Sequence, residues 1–323
     1  MLRLGTDFSG IDAPREALRQ LRVPVRYEFA SELLPHLRAH LATHARPRHL
    51  SADVTTRDHA RLPRVDLYVA GFPCQDFSVK GQKRGRTAAR GRLVDHPLAY
   101  IRAKRPRGVV LENVKGLVAP RNLPALRHVV GHLQESGYRV HLKVINSRDA
   151  GMVQNRERLW FVAIRNDVPG AARFTWPRDR RPWQTLEGIR AGGGALRGGL
   201  ETRNSPFMTQ TLRTIRRKAR ARGHDTRRLA IYDIMASRDF AHVRAEGTSP
   251  CLTTRNSPPL VWTKDGTKEQ FLRTGDLLER QGVPRHLPHA MSRSQLARAL
   301  GNSMSVPVLK DIFRQLLPYL RRR

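Results

Sequence analysis

The first half of the chain alternates short apolar runs with segments of helical spacing. The runs Leu2–Phe8, Val23–Ala30, Val65–Ala70, Gly108–Leu111 and Arg158–Ile164 are rich in branched and aromatic residues. Such runs are typical of strands that are buried on both faces of a parallel sheet. Their alternation with helical segments predicts a doubly wound α/β domain with a mostly parallel sheet.

Helical spacing is clearest at the two ends of the chain. Residues Pro14–Leu21 are predicted to form a helix, with Pro14 suited to its first turn, and helical spacing returns at Ser292–Leu320. Between them, residues 169–264 are rich in Arg, Gly, Pro, Thr and Ser and have weak periodicity. This change in composition predicts a second, loop-rich unit.

Charge adds the next constraint. The 323 residues include 60 Lys and Arg against 27 Asp and Glu, a formal net charge of +33. This surplus excludes an acidic solvating tail, fits an ordinary metabolic enzyme badly, and favours nucleic acid before an anionic membrane surface as partner. A GC-rich coding sequence is the alternative source of Arg, and because the charge is spread along the chain it does not locate a binding face.

The cysteine content and the absence of long apolar runs narrow the class further. Two cysteines, Cys74 and Cys251, cannot form a disulfide framework or a multi-thiolate zinc site. No run approaches the roughly 18 apolar residues of a membrane span, and no signal peptide is recognisable. We therefore expect a soluble intracellular protein without a metal site.

The turn after the first predicted strand has the sequence FSGIDA, residues 8–13. A glycine turn between a strand and a helix lets backbone N–H groups approach a ligand. In nucleotide-binding sheets an acidic residue about 20 positions further on binds ribose hydroxyls, and Glu32 lies at about that distance from Gly10. The pair indicates a nucleotide-like cofactor; a simple turn and a solvated carboxylate are the alternative.

A cysteine follows the strand predicted at 65–70, in the sequence GFPCQDFS at residues 71–78. Parallel sheets hold their active sites at the carboxyl ends of their strands, where Cys74 would lie. A thiolate is a strong nucleophile, and neighbouring Arg side chains would lower its pKa. The alternative for a lone cysteine is a small buried side chain, but the polar residues and proline around Cys74 are typical of a turn.

Two further polar motifs adjoin predicted strands. Glu112-Asn113-Val114 follows the apolar run at 108–111, so the Glu112 carboxyl can act as an acid or a hydrogen-bond anchor. Residues 154–158, with the sequence QNRER, precede the last predicted strand, and their Arg side chains can bind a carbonyl or a phosphate. For each motif alone, helix capping and a surface salt-bridge cluster are the simpler interpretations.

Together, these motifs closely resemble those of the cytosine-C5 DNA methyltransferases, which use S-adenosylmethionine. FSGIDA is similar to the family's F-x-G-x-G, residues 71–78 to its nucleophile motif G-F-P-C-Q-x-F-S, and residues 112–114 and 154–158 to E-N-V and Q-x-R-x-R. Gly301-Asn302-Ser303 matches the C-terminal G-N-S, and Asp53 lies where the family has an acidic residue near the adenine. The resemblance covers most of the chain outside about 170–250.

The resemblance implies a Rossmann-like methyltransferase fold. It implies a catalytic and cofactor-binding domain at 1–168 and 290–323, and a smaller target-recognition domain at 169–289. The residues that it places at S-adenosylmethionine are Phe8, Ser9, Gly10, Ile11, Asp12, Glu32, Asp53, Val54, Phe72, Pro73, Asn302 and Ser303.

The resemblance also implies the catalytic groups. Cys74 would attack C6 of a cytosine while Glu112 holds the N3 and amino edge. Arg158 would contact the C2 carbonyl, and Arg156 would order Glu112 or a phosphate. Because a duplex hides C5 and C6 in the base stack, the base must be flipped into the site.

Double-stranded DNA is the implied partner, and two basic segments, Lys80–Arg107 and Thr211–Arg228, are its predicted contacts. A solvated helix is the alternative for the second segment, in which no aromatic residues interleave the charges. We expect a monomer. It would lie in the cytoplasm near the nucleoid in a prokaryote or phage host, and in the nucleus in a eukaryote. Whether a cognate restriction endonuclease is a further partner cannot be read from the sequence. The individual predicted contacts are Gln75, Ser78, Lys80, Lys83, Arg84, Arg86, Arg90, Arg216 and Arg217.

Departures from the family pattern leave rival interpretations. Asp12 replaces the second glycine of the first motif, but Asp tolerates left-handed backbone, so we expect weakened rather than lost cofactor binding. Val153 replaces a proline, and residues 276–284 only loosely resemble the ninth motif. The rivals are a tRNA cytosine-C5 methyltransferase and a non-catalytic basic DNA-binding protein on the same scaffold; Cys74, Glu112 and Arg158 argue against the latter.

Overall fold

A seven-stranded sheet and a smaller three-stranded sheet hold the described strands of the protein. The structure is a computed structural model, and it describes residues 1–73, 91–178, 182, 206–221, 223, 231–232, 249, 251–252, 260–262, 269–271 and 274–320. The strands of the larger sheet are β1 (Leu2–Asp7), β2 (Val25–Ser31), β3 (His49–Ser51), β4 (Leu67–Ala70), β5 (Gly108–Val114), β6 (Tyr138–Asn146) and β7 (Glu157–Arg165).

The larger sheet has the order β3-β2-β1-β4-β5-β7-β6. From β3 to β5 every neighbouring pair is parallel, whereas β7 runs antiparallel to both β5 and β6. The predicted doubly wound, mostly parallel sheet is therefore confirmed. β5 continues beyond the apolar run to Val114, because it pairs with β7 along its whole length, including Glu112 with Trp160.

Helices connect and cover these strands. They are α1 (Ala13–Gln20), α2 (Pro35–His40), α3 (Asp95–Lys104), α4 (Leu123–Glu135), α5 (Pro206–Ala221), α6 (Thr274–Glu279), α7 (Arg293–Asn302) and α8 (Val306–Leu320). A capping box at Ser292 and Gln295 fixes the start of α7, since each side chain accepts a hydrogen bond from the other residue's backbone N–H.

Apolar residues pack on both faces of the larger sheet, which explains why its strands are nearly continuous apolar runs. One face, with Leu4, Val69 and Val110, packs against α1, α7 and α8. The other, with Tyr68 and Val109, packs against α3 and α4. With both faces covered, ligands reach the sheet at its edges and strand ends.

Few residues of the predicted target-recognition domain are described. They include α5 and the smaller antiparallel sheet of β8 (Ile231–Tyr232), β9 (Leu260–Trp262) and β10 (Glu269–Phe271). Leu277 and Leu278 of α6 lie in the same core cluster as α7 and α8, so this helix packs with the first domain although it precedes residue 290. The domain division itself stays a prediction.

Candidate active site

A cavity of about 360 Å³ lies at the carboxyl ends of β1, β2 and β4. It is the edge of a parallel sheet at which ligands usually bind. Ten of the predicted cofactor residues line it together with three of the predicted catalytic residues: Phe8, Ser9, Gly10, Glu32, Asp53, Val54, Phe72, Pro73, Asn302 and Ser303, with Glu112, Arg156 and Arg158. The fold therefore brings motifs from both ends of the chain to one site.

The loop after β1 has an unusual backbone. Phe8, Gly10 and Asp12 all have positive φ, of 53°, 57° and 67°. Glu32 holds this loop, because its Oε2 accepts a hydrogen bond from the Gly10 N–H at 2.9 Å and its Oε1 accepts one from Leu34 N–H at 3.0 Å. The carboxylate thus orders the loop and at the same time lines the cavity.

Two of the predicted cofactor residues do not line this cavity. Ile11 is 4% exposed and packs in the core, because the turn directs its side chain inward. Asp12 also turns away, and its Oδ1 accepts a hydrogen bond from the Tyr27 hydroxyl at 3.0 Å. The left-handed backbone expected of Asp12 is present. Its burial raises the pKa of the Asp12 carboxyl to about 7.

A buried ion pair between Asp7 and Arg57 underlies the cavity, and no sequence pattern predicted it. Asp7, at the end of β1, accepts hydrogen bonds from both terminal nitrogens of Arg57 and from the Tyr68 hydroxyl. The Arg57 guanidinium also lies 5.5 Å from the ring centroid of Phe29. An acidic residue ending the first strand and an arginine in a polar loop carry no local pattern that pairs them.

Asp53 also lines the cavity and is half-buried. Its Oδ1 accepts a hydrogen bond from the Thr55 N–H at 2.8 Å, and this bond lowers the pKa of the carboxyl. Asp53 is therefore a charged acceptor at the rim, beside the apolar side chain of Val54.

Glu112 and Arg158 form an ion pair inside the cavity. The Arg158 Nε lies 3.1 Å from the Glu112 Oε1, and both side chains are largely buried. Burial raises the pKa of Glu112, while the positive charges of Arg158 and then Arg156 oppose that rise. The pair presents a carboxyl and a guanidinium side by side from β5 and β7.

Arg156 contacts backbone carbonyls rather than Glu112. Its Nη2 donates to the carbonyls of Gly301 at 3.1 Å and Ser303 at 2.7 Å, and its Nη1 donates to that of Leu252 at 3.2 Å. The family resemblance implies that Arg156 orders Glu112 or a phosphate, and this role stays a prediction. In the structure, the buried guanidinium joins the G-N-S loop to the segment around residue 252.

Cys74, the predicted nucleophile, lies outside the described residues. Its neighbour Pro73 lines the cavity, and Asn113 Nδ2 donates to the carbonyl of Phe72 at 3.3 Å, so the E-N-V strand fixes the backbone that leads to Cys74. The predicted DNA contacts Gln75, Ser78, Lys80, Lys83, Arg84, Arg86 and Arg90 also lie outside the described part, as does the side chain of Arg216.

Arg217 is the described member of the predicted DNA contacts. It lies on α5, where its side chain is exposed while Ile215 is 2% exposed. This arrangement leaves the Arg217 charge available, and it does not separate DNA binding from a solvated helix face.

Comparison with known proteins decides the family. The C-5 cytosine-specific DNA methylase family matches residues 7–318, nearly the whole chain. The chain belongs to this family. The methylase is 29% identical over 317 residues to the type II methyltransferase M.NlaX of Neisseria lactamica, covering 96% of this chain and 94% of that protein.

Other relatives agree with this assignment. The type II methyltransferase M.NgoBI of Neisseria gonorrhoeae is 29% identical to the methylase over 258 residues, 80% of this chain and 76% of that protein. The crystal structure of the S. pombe Dnmt2 methyltransferase superposes with a TM-score of 0.67 at 16% identity, covering 98% of this chain and 99% of that one. At that identity the superposition supports the fold, a Rossmann-like sheet.

Two structural features are absent from the part of the protein that the structure describes. None of its helices there has the length and apolar character that crossing a membrane requires. In the same part, no three His, Cys, Asp or Glu side chains are grouped as a metal ion would need.

Proposed function

We propose that this protein is an S-adenosylmethionine-dependent DNA (cytosine-5)-methyltransferase that acts through a covalent adduct on Cys74. The observation that carries the proposal is the single cavity in which Glu112 and Arg158 lie beside the loop that Glu32 orders. A site for a base and a site for a nucleoside cofactor therefore adjoin. Membership of the methylase family gives the reaction class.

The cavity fits S-adenosylmethionine by the chemistry of its lining. Phe8, Val54 and Phe72 supply apolar surface for a purine, and Glu32 and Asp53 supply carboxylates for hydroxyl and amino groups. Small ligands are usually held by such a mainly apolar wall with a few placed polar groups. When bound, the cofactor supplies a methyl group made electrophilic by its sulfonium.

Glu112 and Arg158 suit the polar edge of cytosine. A carboxyl whose pKa is raised by burial can stay protonated, and it then offers one O–H donor and one acceptor oxygen. Cytosine N3 needs a donor and its amino group needs an acceptor, so the two edges are complementary. The Arg158 guanidinium, next to Glu112, supplies a donor for the C2 carbonyl.

In the proposed reaction the Cys74 thiolate adds to C6, and the proton that Glu112 holds at N3 offsets the charge that develops in the ring. C5 is then electron-rich enough to accept the methyl group. Loss of the C5 proton to a base, for which a water is sufficient, re-forms the double bond and expels Cys74 as thiolate. Over the cycle the C6–S bond forms and breaks again, and C5 exchanges its proton for the methyl group, so Cys74 returns to the thiolate with which it began.

The need to reach C5 and C6 of the cytosine also bears on how the enzyme would bind its nucleic-acid substrate. C5 and C6 are reachable only when the cytosine leaves the base stack, which costs a few kcal/mol. We propose that the basic residues of 80–107 contact phosphates as this occurs and that α5 belongs to the target-recognition domain. Double-stranded DNA is the proposed substrate of a monomer, in the cytoplasm near the nucleoid if the source is a prokaryote or phage.

Transfer of a labelled methyl group from S-adenosylmethionine to duplex DNA or to tRNA tests the proposal. We expect incorporation into duplex DNA, and none with Cys74→Ser although that variant still binds the cofactor. Incorporation only into tRNA would show that the substrate is tRNA instead of DNA, and would leave the proposed chemistry unchanged.

A second measurement tests the covalent step. With duplex DNA that contains 5-fluorocytosine, the C5 substituent cannot leave as a proton, so a Cys74-dependent adduct should persist through denaturing electrophoresis. Cofactor binding without any adduct or transfer would support the non-catalytic interpretation. Bisulfite sequencing of DNA from expressing cells would then identify the target site.

A further inference from the structure

We propose that Cys251 is a positioning residue of this active site: its sulfur fixes the guanidinium groups of Arg156 and Arg158, and so holds Arg158 beside Glu112. The inference rests on the proposed function, because it concerns the groups that would bind the cytosine edge. Cys251 lies outside every motif that the sequence singled out.

The contacts of Arg158 show what the sulfur does. Its Nε faces Glu112 Oε1 at 3.1 Å, its Nη1 donates to the carbonyl of Glu157 at 2.8 Å, and its Nη2 donates to Cys251 Sγ at 3.8 Å. The three nitrogens of the planar guanidinium thus have partners on three sides. Because the group is rigid, removing the sulfur contact frees a rotation that would carry Nε away from Glu112.

The same sulfur contacts the neighbouring arginine. Arg156 Nη1 donates to Cys251 Sγ at 3.3 Å. Burial and, next to it, the repulsion between the two guanidinium groups lower the pKa of Arg156. A polarisable sulfur between them offsets part of that repulsion, which a methyl group in its place would not do.

The segment that carries Cys251 is held firmly in place. Ser249 forms a parallel bridge with Gln154, whose Oε1 accepts a hydrogen bond from the Leu252 N–H at 2.8 Å. Gln154 Nε2 also donates to the carbonyl of Arg280 at 2.8 Å, and Gln154 is fully buried. The sulfur is therefore a fixed point against which a long Arg side chain can be oriented.

Charged and polar groups around the sulfur set its protonation. Burial raises the pKa of Cys251, but the charges and hydrogen bonds of Arg156 and Arg158 together outweigh it, so the net direction is downward. The Leu252 carbonyl, 3.3 Å from Sγ, accepts the S–H hydrogen bond of the thiol form. Glu112, the acidic residue of β5, pairs with Arg158 at 3.1 Å. In both protonation states the sulfur accepts from the arginines.

Steady-state methyl transfer with the full chain tests the role. We expect Cys251→Ala to lower kcat about tenfold, as a displaced catalytic group does, with the KM for S-adenosylmethionine within about twofold. Cys251→Ser should restore most of kcat, because a hydroxyl oxygen also accepts from guanidinium. The control is Leu142→Ala, which trims an exposed apolar side chain on β6 away from the cavity and should leave kcat nearly unchanged. Wild-type kcat in Cys251→Ala, or equal loss in the Ser and Ala variants, would overturn the proposal.

A spectroscopic titration separates this proposal from the proposed function. Cys74 and Cys251 are the two cysteines of the chain, so in Cys74→Ser the ultraviolet absorbance of thiolate reports on Cys251 alone. We expect a pKa below the ordinary value of a cysteine, about 8.5, and a rise when Arg158→Met is added. If the pKa of Cys251 is the same with and without Arg158→Met, the contact between Arg158 and the sulfur is refuted. If the wild type transfers no methyl group, the proposed function fails, yet this titration still decides the role of Cys251 toward Arg158.

Discussion

Replacing Asp12 by Asn should make the stability of this methylase less dependent on pH. Asp12 precedes α1 in a left-handed conformation, with φ 67° and ψ 42°, which Asn also adopts readily. Its side chain is buried; Oδ1 accepts a hydrogen bond from Tyr27, and among the described residues none bonds Oδ2. Asn keeps the shape and the acceptor but cannot ionise.

The magnitude follows from the pKa of Asp12, which burial raises from 3.8 to about 7. One pKa unit corresponds to about 1.4 kcal/mol, so ionising Asp12 in the folded protein costs about 4 kcal/mol. Because the folded pKa is the higher one, the stabilisation is complete below about pH 4 and is lost as the pH rises through about 7. Between about pH 5 and pH 8 the free energy of unfolding should therefore fall by about 3 kcal/mol through this group.

Urea unfolding of the wild type and of Asp12→Asn across that pH range measures the effect. The difference in unfolding free energy between Asn and wild type should grow in favour of Asn by about 3 kcal/mol. Asp53→Asn is the matched control, because Asp53 is only half-buried and the pKa of its carboxyl is lowered rather than raised. Parallel stability curves for Asp12→Asn and the wild type would refute the reasoning.

Three further substitutions test other features of the structure. Arg156→Met should lower the free energy of unfolding by at least about 3 kcal/mol, because three backbone carbonyls lose a charged donor in a buried place; thermal denaturation measures it, and an unchanged Tm would contradict it. Gly282→Ala should cost about 1–3 kcal/mol, because an added Cβ at φ 74° would collide with the ring of Pro307. Gly223→Ala, at φ 73° with no described atom within 4 Å of the added Cβ, is its control and should cost less than the collision does. Glu32→Gln should weaken S-adenosylmethionine binding about tenfold in titration calorimetry, because one of two backbone N–H groups loses its acceptor; unaltered affinity would show that the loop keeps its shape without the carboxylate.

Much of the larger sheet could be predicted because its strands are buried on both faces. Burial on both faces demands apolar runs, and these appear in the sequence at β1, β2, β4, β5 and β7 with nearly the observed bounds. β6 was not predicted. It lies at the edge of the sheet with much of its length partly exposed, so its residues carry no apolar run, and its pairing with β7 decides its conformation.

In the candidate site, too, some positions could be predicted from the sequence and some contacts could not. The positions of Glu32, Glu112 and Arg158 could be predicted, because strand ends of a parallel sheet meet at one edge and each residue directly follows or begins a strand pattern. The partners of Arg156 could not be predicted. Its alternation with Arg158 indicates two side chains of similar chemistry, yet one lies beside Glu112 and the other binds backbone carbonyls.

The sequence by itself determined the order in which the motifs follow the strands along the chain, the left-handed turn that Asp12 allows, and the family of this methylase. These features depend on local pattern, on backbone sterics and on residue type, all of which can be read along the chain. Only the tertiary structure decided that Asp12 faces Tyr27, that Arg57 pairs with Asp7, and that Cys251 lies between two arginines. Those contacts join residues from different elements, so their energies exist only once packing has excluded water and fixed the distances between them.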